Sequence, residues 1–126
     1  MAKILLIDES PWIMIHMKKV LELSGHEIFC SSDGQSGMTL IEEKMPDLIL
    51  TDVIIPGKDG FEIISEIKKK FPGMKIIAMS SKLVSHADQY LNAMRSFGVE
   101  LTIKKPFRDL YLLNAVNSVL ETEESI

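Results

Sequence analysis

The sequence predicts an α/β fold in which a five-stranded parallel sheet, in the order 2-1-3-4-5, carries helices on both faces. Five short apolar runs alternate along the chain with five segments whose apolar residues recur at helical spacing. The apolar runs contain few polar residues, which is typical of strands buried on both faces of a parallel sheet. The alternation indicates right-handed crossovers, and if the order is 2-1-3-4-5, the point where the strand order reverses lies between the first and third strands.

Length and composition indicate a single domain over residues 1–126. Of the 126 residues, 46% are hydrophobic and 25% are charged, as in ordinary globular domains. The net charge of -4 offers no basic face for nucleic acid. The amino-terminal apolar run, Ile4 to Ile7, is too short for a signal peptide or a membrane span, and the one cysteine favours a reducing compartment. We therefore expect a cytoplasmic protein that contacts neither nucleic acid nor membrane.

Turn-forming residues separate the predicted elements. The predicted strands are Lys3 to Asp8, Glu27 to Cys30, Leu48 to Leu50, Lys75 to Met79 and Leu101 to Ile103. The first of these runs ends in the carboxylate of Asp8. The helices begin at Ser10-Pro11, after Ser32-Asp33-Gly34, at Phe61, at Leu83 and after Lys105-Pro106. The first four helices end at Gly25, Pro46, Pro72-Gly73 and Gly98. We expect Ser10 to cap the first helix, with proline in its first turn.

Asp52 is the polar residue around which the predicted site is built. It follows the apolar strand Leu48 to Leu50 and precedes the turn-rich loop Pro56 to Gly60. Ligands bind at the carboxyl edge of open α/β sheets, and four more polar residues follow other strands at that edge. These are Asp8, Glu9, Ser80 and Lys105. The sequence therefore predicts one crevice that holds all five side chains.

The chemistry of such a cluster points to phosphoryl transfer. Two carboxylates at about 4 Å repel by about 4 kcal/mol at an effective dielectric near 20, so three require a cation, a proton or solvent. Hard oxygen ligands suit Mg²⁺. One carboxylate could then attack a phosphoryl group while Lys105 and the Ser80 hydroxyl orient its oxygens. The alternative is that each aspartate only caps a helix or forms a turn, as a lone Asp at a strand end commonly does.

The residues of this crevice carry a resemblance to a known family. The sequence resembles the response regulator receiver domain of two-component signalling, a flavodoxin-like doubly wound fold, from Lys3 to about Leu120. The matching motifs are the acidic pair Asp8-Glu9, the segment DLILTDVIIPGKDG with Asp52, the hydroxyl of Ser80, and Lys105-Pro106-Phe107. The order of these motifs along the chain makes the match specific.

The resemblance implies a phosphorylation switch without enzymatic activity toward other substrates. A histidine kinase or phosphotransfer protein would phosphorylate Asp52, and the output would be a downstream protein or an output domain absent from this chain. Mg²⁺ would be held by Glu9, Asp52 and the backbone carbonyl of Ile54, with Asp8 acting through water. Lys105 would form a cis peptide bond with Pro106. We favour Lys105 over its neighbour Lys104 as the site lysine because Lys105 directly precedes the proline.

The sequence departs from the family pattern in two places. Thr102 stands where the family usually has an aromatic residue, so the usual coupling between a hydroxyl and an aromatic side chain cannot operate. The stretch from Ser80 to Lys105 is about three residues longer than is common, which predicts a longer loop or an extra helical turn around Leu83 to Tyr90.

Two other functions remain open. The first is a receiver-like scaffold that works without phosphorylation, which the complete set of five site residues argues against. The second is a small phosphohydrolase or nucleotide-binding domain, but Asp8-Glu9-Ser10-Pro11 is not a glycine-rich phosphate loop.

The three histidines, His16, His26 and His86, have no ligand-like spacing, and we expect surface or half-buried positions for them. We expect Cys30 to be a small buried hydrophobic residue.

Overall fold

The structure, a computed structural model, describes residues 1–55, 58–81 and 87–121. The strands are β1 (Lys3–Ile7), β2 (Glu27–Ser31), β3 (Leu48–Asp52), β4 (Ile54–Ile55), β5 (Lys58–Asp59), β6 (Lys75–Ser81) and β7 (Leu101–Lys105). The helices are α1 (Pro11–Leu23), α2 (Gly34–Lys44), α3 (Gly60–Lys70), α4 (Ala87–Ser96) and α5 (Asp109–Glu121).

The main sheet has five parallel strands in the order β2-β1-β3-β6-β7. This confirms the predicted order 2-1-3-4-5, with β6 and β7 as the fourth and fifth strands. The short antiparallel pair β4–β5 was not predicted. Each of its strands has two residues inside a turn-rich segment, which is too short for a periodic signal.

The apolar side chains of the strands divide alternately between two cores, because successive residues of a strand point to opposite faces. Leu5, Ile7 and Ile49 pack with helices α2, α3 and α4. Ile4 and Leu6 of the same strand β1 pack on the other face with α1 and α5. Because both faces are covered, the strands contain the near-continuous apolar runs seen in the sequence.

Four strands continue beyond their predicted ends toward the site, two of them being β2, which continues to Ser31, and β3, which continues to Asp52. Strand β6 continues to Ser81 and β7 to Lys105, where Ser80 pairs with Lys104 and Ser81 with Lys105. This extension was not predicted because the added residues are polar, whereas the predicted strands rest on apolar runs. Backbone hydrogen bonding between strands does not require apolar residues. The predicted start of the fourth helix near Leu83 falls outside the described residues, and α4 is described from Ala87.

Local capping explains where the first two helices begin and end. The Ser10 side chain accepts a hydrogen bond from the Ile13 amide, which confirms its predicted role as N-cap. Asp33 caps α2 in the same way through the Ser36 amide. Helix α2 ends at Lys44, and its C-cap residue Met45 has a left-handed φ of 47° directly before Pro46.

The prediction for Cys30 was wrong, because its side chain is exposed. Strand β2 is an edge strand, so Cys30 lacks a neighbouring strand on one side. His16 is exposed and His26 is half-buried, as expected, and His86 lies outside the described residues. In the described ranges, no helix combines the length and hydropathy needed to cross a membrane.

Candidate functional site

Lys105 joins the ends of three strands at the carboxyl edge of the sheet. Its Nζ donates to Asp8 Oδ2 at 2.6 Å and to Asp52 Oδ2 at 2.5 Å. All three side chains are nearly removed from solvent, with Lys105 at 7%, Asp8 at 1% and Asp52 at 9% exposure. The structure thus brings together three of the five predicted site residues through direct contacts between ionic groups.

Backbone hydrogen bonds hold the two aspartates in place. The Asp8 amide donates to the Ser31 carbonyl at 3.1 Å, and the Asp8 carboxylate accepts from the Ser10 amide at 2.9 Å. Beyond Asp52, the Val53 amide donates to the Met79 carbonyl of the adjacent strand at 2.9 Å. The carboxylates therefore project from a rigid sheet edge, which limits the movement of a reacting oxygen.

The charges at this edge stabilise one another. Burial by itself lowers the pKa of Lys105, but hydrogen bonds to Asp52 and Asp8, together with their negative charges, outweigh burial and raise the pKa above its ordinary value. Lys105 is therefore a cation at neutral pH. It offsets the repulsion between two carboxylates that share one hydrogen-bonding partner.

Ser80 is fully buried near the end of β6, and its hydroxyl has no hydrogen-bond partner in the part of the chain that the structure describes. Among the described residues it is the one buried polar side chain in this condition. A buried hydroxyl without a partner costs about 1–3 kcal/mol. Ser80 follows Met79, the residue that pairs with Asp52 across the sheet. An oxygen-rich ligand bound at Asp52 would give this hydroxyl something to bind.

The donor set fits a hard divalent cation in part. Asp8 and Asp52 supply carboxylate oxygens at one point, which suits Mg²⁺. Glu9 is exposed, and among the described residues no group of three His, Cys, Asp or Glu side chains is close enough to hold a metal ion. The structure does not bring Glu9 into the cluster, and the ligand roles of Glu9 and the Ile54 carbonyl stay predictions.

The two neighbouring lysines at the end of β7 differ in position. The Lys104 side chain is exposed, whereas Lys105 is buried against the aspartates. The peptide bond between Lys105 and Pro106 is cis, as expected. Lys105 is therefore the lysine that contacts both aspartates, and its role in the site stays a prediction.

One contact near the site was not predicted from the sequence. The Arg95 side chain of α4 donates twice to the Thr102 hydroxyl, from Nε at 3.2 Å and from Nη2 at 3.0 Å. Thr102 is buried, and its position is the one where an aromatic residue is usual in the family it resembles. No sequence signal pairs these residues, because their contact depends on how α4 lies over β7.

Comparisons with known proteins agree with this fold. The family model described as "Response regulator receiver domain" matches residues 4–117. The chain therefore belongs to the response regulator receiver domain family, whose members are modules of two-component signalling systems. The receiver domain of NtrX from Brucella abortus is similar in structure, with a TM-score of 0.88, 26% identity, and coverage of 95% of this chain and 99% of that chain.

Further solved structures show how the chain compares in length. A receiver domain protein from Clostridium thermocellum has 30% identity and a TM-score of 0.85, with coverage of 95% of this chain and 94% of that chain. The longer NtrX chain from Brucella abortus has 26% identity and a TM-score of 0.89 over 95% of this chain. This chain spans only 27% of that longer protein, so similarity to it concerns one domain.

Proposed function

We propose that this receiver domain accepts a phosphoryl group on Asp52 and signals through protein contacts. The observation that carries the proposal is the buried Lys105 bound to both Asp8 and Asp52, beside the buried Ser80 hydroxyl that has no partner among the described residues. The site combines a nucleophile, a cation and a free hydrogen-bond donor. The partner would be a histidine kinase or a phosphotransfer protein, and the output would be another protein or an output domain.

The transfer follows from the chemistry of these groups. A carboxylate oxygen of Asp52 forms a bond to phosphorus, and the bond between phosphorus and the imidazole nitrogen of the donor breaks. The nitrogen keeps the electron pair and accepts a proton. Lys105 and the Ser80 hydroxyl donate hydrogen bonds to the phosphoryl oxygens, which carry the charge that develops during transfer. Bound Mg²⁺ would supply further neutralisation of this charge.

The test is phosphorylation of the purified chain by acetyl phosphate with Mg²⁺, followed by intact mass. We expect one added phosphoryl group, and we expect Asp52→Asn to remain unlabelled while it stays folded. Asp47→Asn is the matched control, because Asp47 lies just before the same strand, at the opposite edge of the sheet. Full labelling of Asp52→Asn would refute the assignment of the acceptor.

Ser80→Ala separates a phosphoryl-binding role from a structural role. Removing a buried hydroxyl without a partner should leave stability unchanged or raise it by up to about 1 kcal/mol. The same change should slow labelling by about tenfold or more, since a hydrogen bond to a charged group contributes about 1.5–3 kcal/mol. Unchanged labelling would show that Ser80 does not bind the phosphoryl group.

The scaffold function is the second candidate. It would require the same fold without phosphorylation, and absence of labelling under every Mg²⁺ concentration tested would favour it. The contacts of Lys105 speak against it, since a scaffold gains little from two buried carboxylates around one lysine. Such clusters of buried ions contribute little net stability compared with apolar packing.

A further inference from the structure

Helix α1 carries a row of exposed residues on the side opposite its buried Met17 and Leu21. The row, which we call the α1 stripe, consists of Trp12, Ile15, Lys19 and Leu23. Its three apolar side chains are 81%, 62% and 81% exposed, in chain order. Steps of three, four and four residues place the four side chains along one line of a helix. Large apolar side chains that stay exposed in one row are typical of a surface that another molecule covers.

The two ends of the α1 stripe differ in shape. An apolar pocket of about 430 Å³ opens beside Trp12, between α1 and the segment that leads into α5, and His16, Met17 and Phe107 help to line it. At the other end, Leu23 protrudes into solvent. A helix rises 1.5 Å per residue, so the two ends lie about 16 Å apart. The stripe therefore has one concave end and one protruding end.

The middle of the α1 stripe carries a cation and, next to it, an anion. His16 Nε2 and Asp109 Oδ1 are hydrogen-bonded at 2.7 Å, and the Asp109 side chain remains 56% exposed. Lys19, one turn further along α1, is exposed and belongs to none of the ion pairs in the described part of the chain. Lys19 and Asp109 therefore offer opposite charges to a second molecule.

We propose that two copies of this chain associate through their α1 stripes, with the two helices antiparallel about a twofold axis midway between Trp12 and Leu23. Leu23 of each copy would then lie at Trp12 and the pocket of the other copy. Lys19 of each copy would lie opposite His16 of the other copy and pair with Asp109 beside it.

A second copy is the occupant that this surface fits, because the surface is complementary to itself. A twofold axis requires that each contact occur twice with the roles of the two copies exchanged. The protruding end meets the concave end, and the cation meets the anion, in both halves of the interface. The association uses neither Asp52 nor a phosphoryl group, so it goes beyond the proposed function.

The expected dimer is weak because its interface is small. Three apolar side chains from each copy, with the residues around them, would bury on the order of 1,000 Å² in total. Stable complexes bury at least about 1,200 Å². We therefore expect a concentration-dependent dimer with a dissociation constant on the order of 100 µM.

The first test is sedimentation equilibrium of the full chain, without Mg²⁺ or a phosphodonor, from about 5 µM to about 1 mM. We expect the average mass to rise from that of one chain toward that of two. Trp12 is the single tryptophan of the sequence, so its fluorescence reports on the α1 stripe directly. Its emission should move to shorter wavelength over the same concentration range, because the second copy removes the indole from water.

A matched pair of variants locates the interface on α1. Leu23→Glu and Leu110→Glu each replace an exposed leucine by the same charge, but Leu110 lies on α5 outside the stripe. Leu23→Glu should weaken association by at least about tenfold, whereas Leu110→Glu should change it by less than about threefold. Both positions are exposed, so both variants should fold, which circular dichroism checks.

A mixture of two charge variants tests whether the occupant is a second copy. Lys19→Glu and Asp109→Lys should each weaken association by at least about fivefold, because each places like charges opposite one another. An equimolar mixture of the two variants should associate within about threefold of the native chain. In the mixed dimer, each copy supplies the charge that the other lacks.

Several outcomes would overturn the proposal. They are a single-chain mass at every concentration, equal effects of Leu23→Glu and Leu110→Glu, or a mixture that associates no better than its two components. A chain that stays monomeric but binds anionic phospholipid vesicles through Trp12 would assign the stripe to a membrane surface instead. Loss of labelling at Asp52 would leave the dimer standing, since none of these measurements involves phosphorylation.

Discussion

Lys105 is the single residue on which the electrostatics of the site depend. It lies between Asp8 and Asp52 in a region with almost no solvent and forms an ion pair with each of the two carboxylates. The negative charges of Asp8 and Asp52 need a neighbouring positive charge, because two adjacent carboxylates that are removed from water repel each other strongly. Removing the lysine therefore costs more than the contacts of its own side chain.

We expect Lys105→Met to lower the free energy of unfolding by about 3 kcal/mol in urea titrations. Mg²⁺ should recover part of this loss in the variant, and by more than it stabilises the native chain, because a second cation would neutralise the same carboxylates. Lys104→Met is the control, since its side chain is exposed, and it should change stability by less than about 1 kcal/mol. Equal losses in the two variants would contradict the central role of Lys105.

The stability difference between the native chain and Lys105→Met depends on pH with a definite sign. The folded-state pKa of Lys105 lies above its ordinary value of 10.5, so the folded chain holds this proton more tightly than the unfolded chain. The stability contributed by Lys105 is fully present below that ordinary value and is lost as the pH rises through the folded-state pKa. The stability gap between the native chain and Lys105→Met should be constant near neutral pH and shrink in strong alkali. A gap that grew in alkali would refute this.

At the scale of elements, the first residue of α3 packs closely against the backbone of Val53, the residue that follows Asp52. A Cβ atom at Gly60 would overlap the carbonyl oxygen of Val53 and lie 2.8 Å from its carbonyl carbon. Both of these atoms belong to the backbone, which cannot move aside as a flexible side chain could. Gly60 therefore allows the close approach that places α3 beside the residue next to Asp52.

We expect Gly60→Ala to destabilise the chain by about 1–3 kcal/mol, because the added methyl group must displace backbone. The displacement should also reach Val53 and slow phosphorylation of Asp52 by acetyl phosphate. Ser65→Ala, an exposed change in the same helix, is the control and should alter stability by less than about 0.5 kcal/mol. Thermal unfolding of both variants measures this, and a Gly60→Ala chain as stable as the control would show that the contact is not tight.

At the scale of the whole molecule, the two hydrophobic cores share one sheet. Strand β1 sends Ile4 and Leu6 into one core and Leu5 and Ile7 into the other. Strand β3 divides its residues in the same way, with Leu48 and Leu50 opposite Ile49. Neither core can lose its packing without disturbing the strands that support the other.

We therefore expect residues 1–126 to unfold in urea as one cooperative unit, which tests the prediction of a single domain. Circular dichroism and hydrogen exchange should report the same midpoint for both faces, with a slope of about 1–3 kcal/mol per molar urea. Ile64 and Val116, one in each core, are suitable reporters. Separate midpoints for the two faces would show that the cores unfold independently.

The sequence by itself determined the five strands of the main sheet and the position of Asp52 at the end of one of them. These depend on local features, since apolar runs mark strands buried on both faces and turn residues mark where a strand ends. The prolines and caps at Ser10 and Pro46 located helix ends for the same reason. The family motifs then indicated which strand ends carry polar groups.

Only the tertiary structure decided which side chains meet. Lys105 contacts Asp8 across 97 positions of the chain and Asp52 across 53, and no local pattern encodes the distances between their atoms. The contact of Arg95 with Thr102 and the exposure of Cys30 were likewise beyond the sequence. Periodicity reports which face of its own element a residue occupies, whereas contacts between elements depend on how helices cross the sheet and which strand lies at its edge.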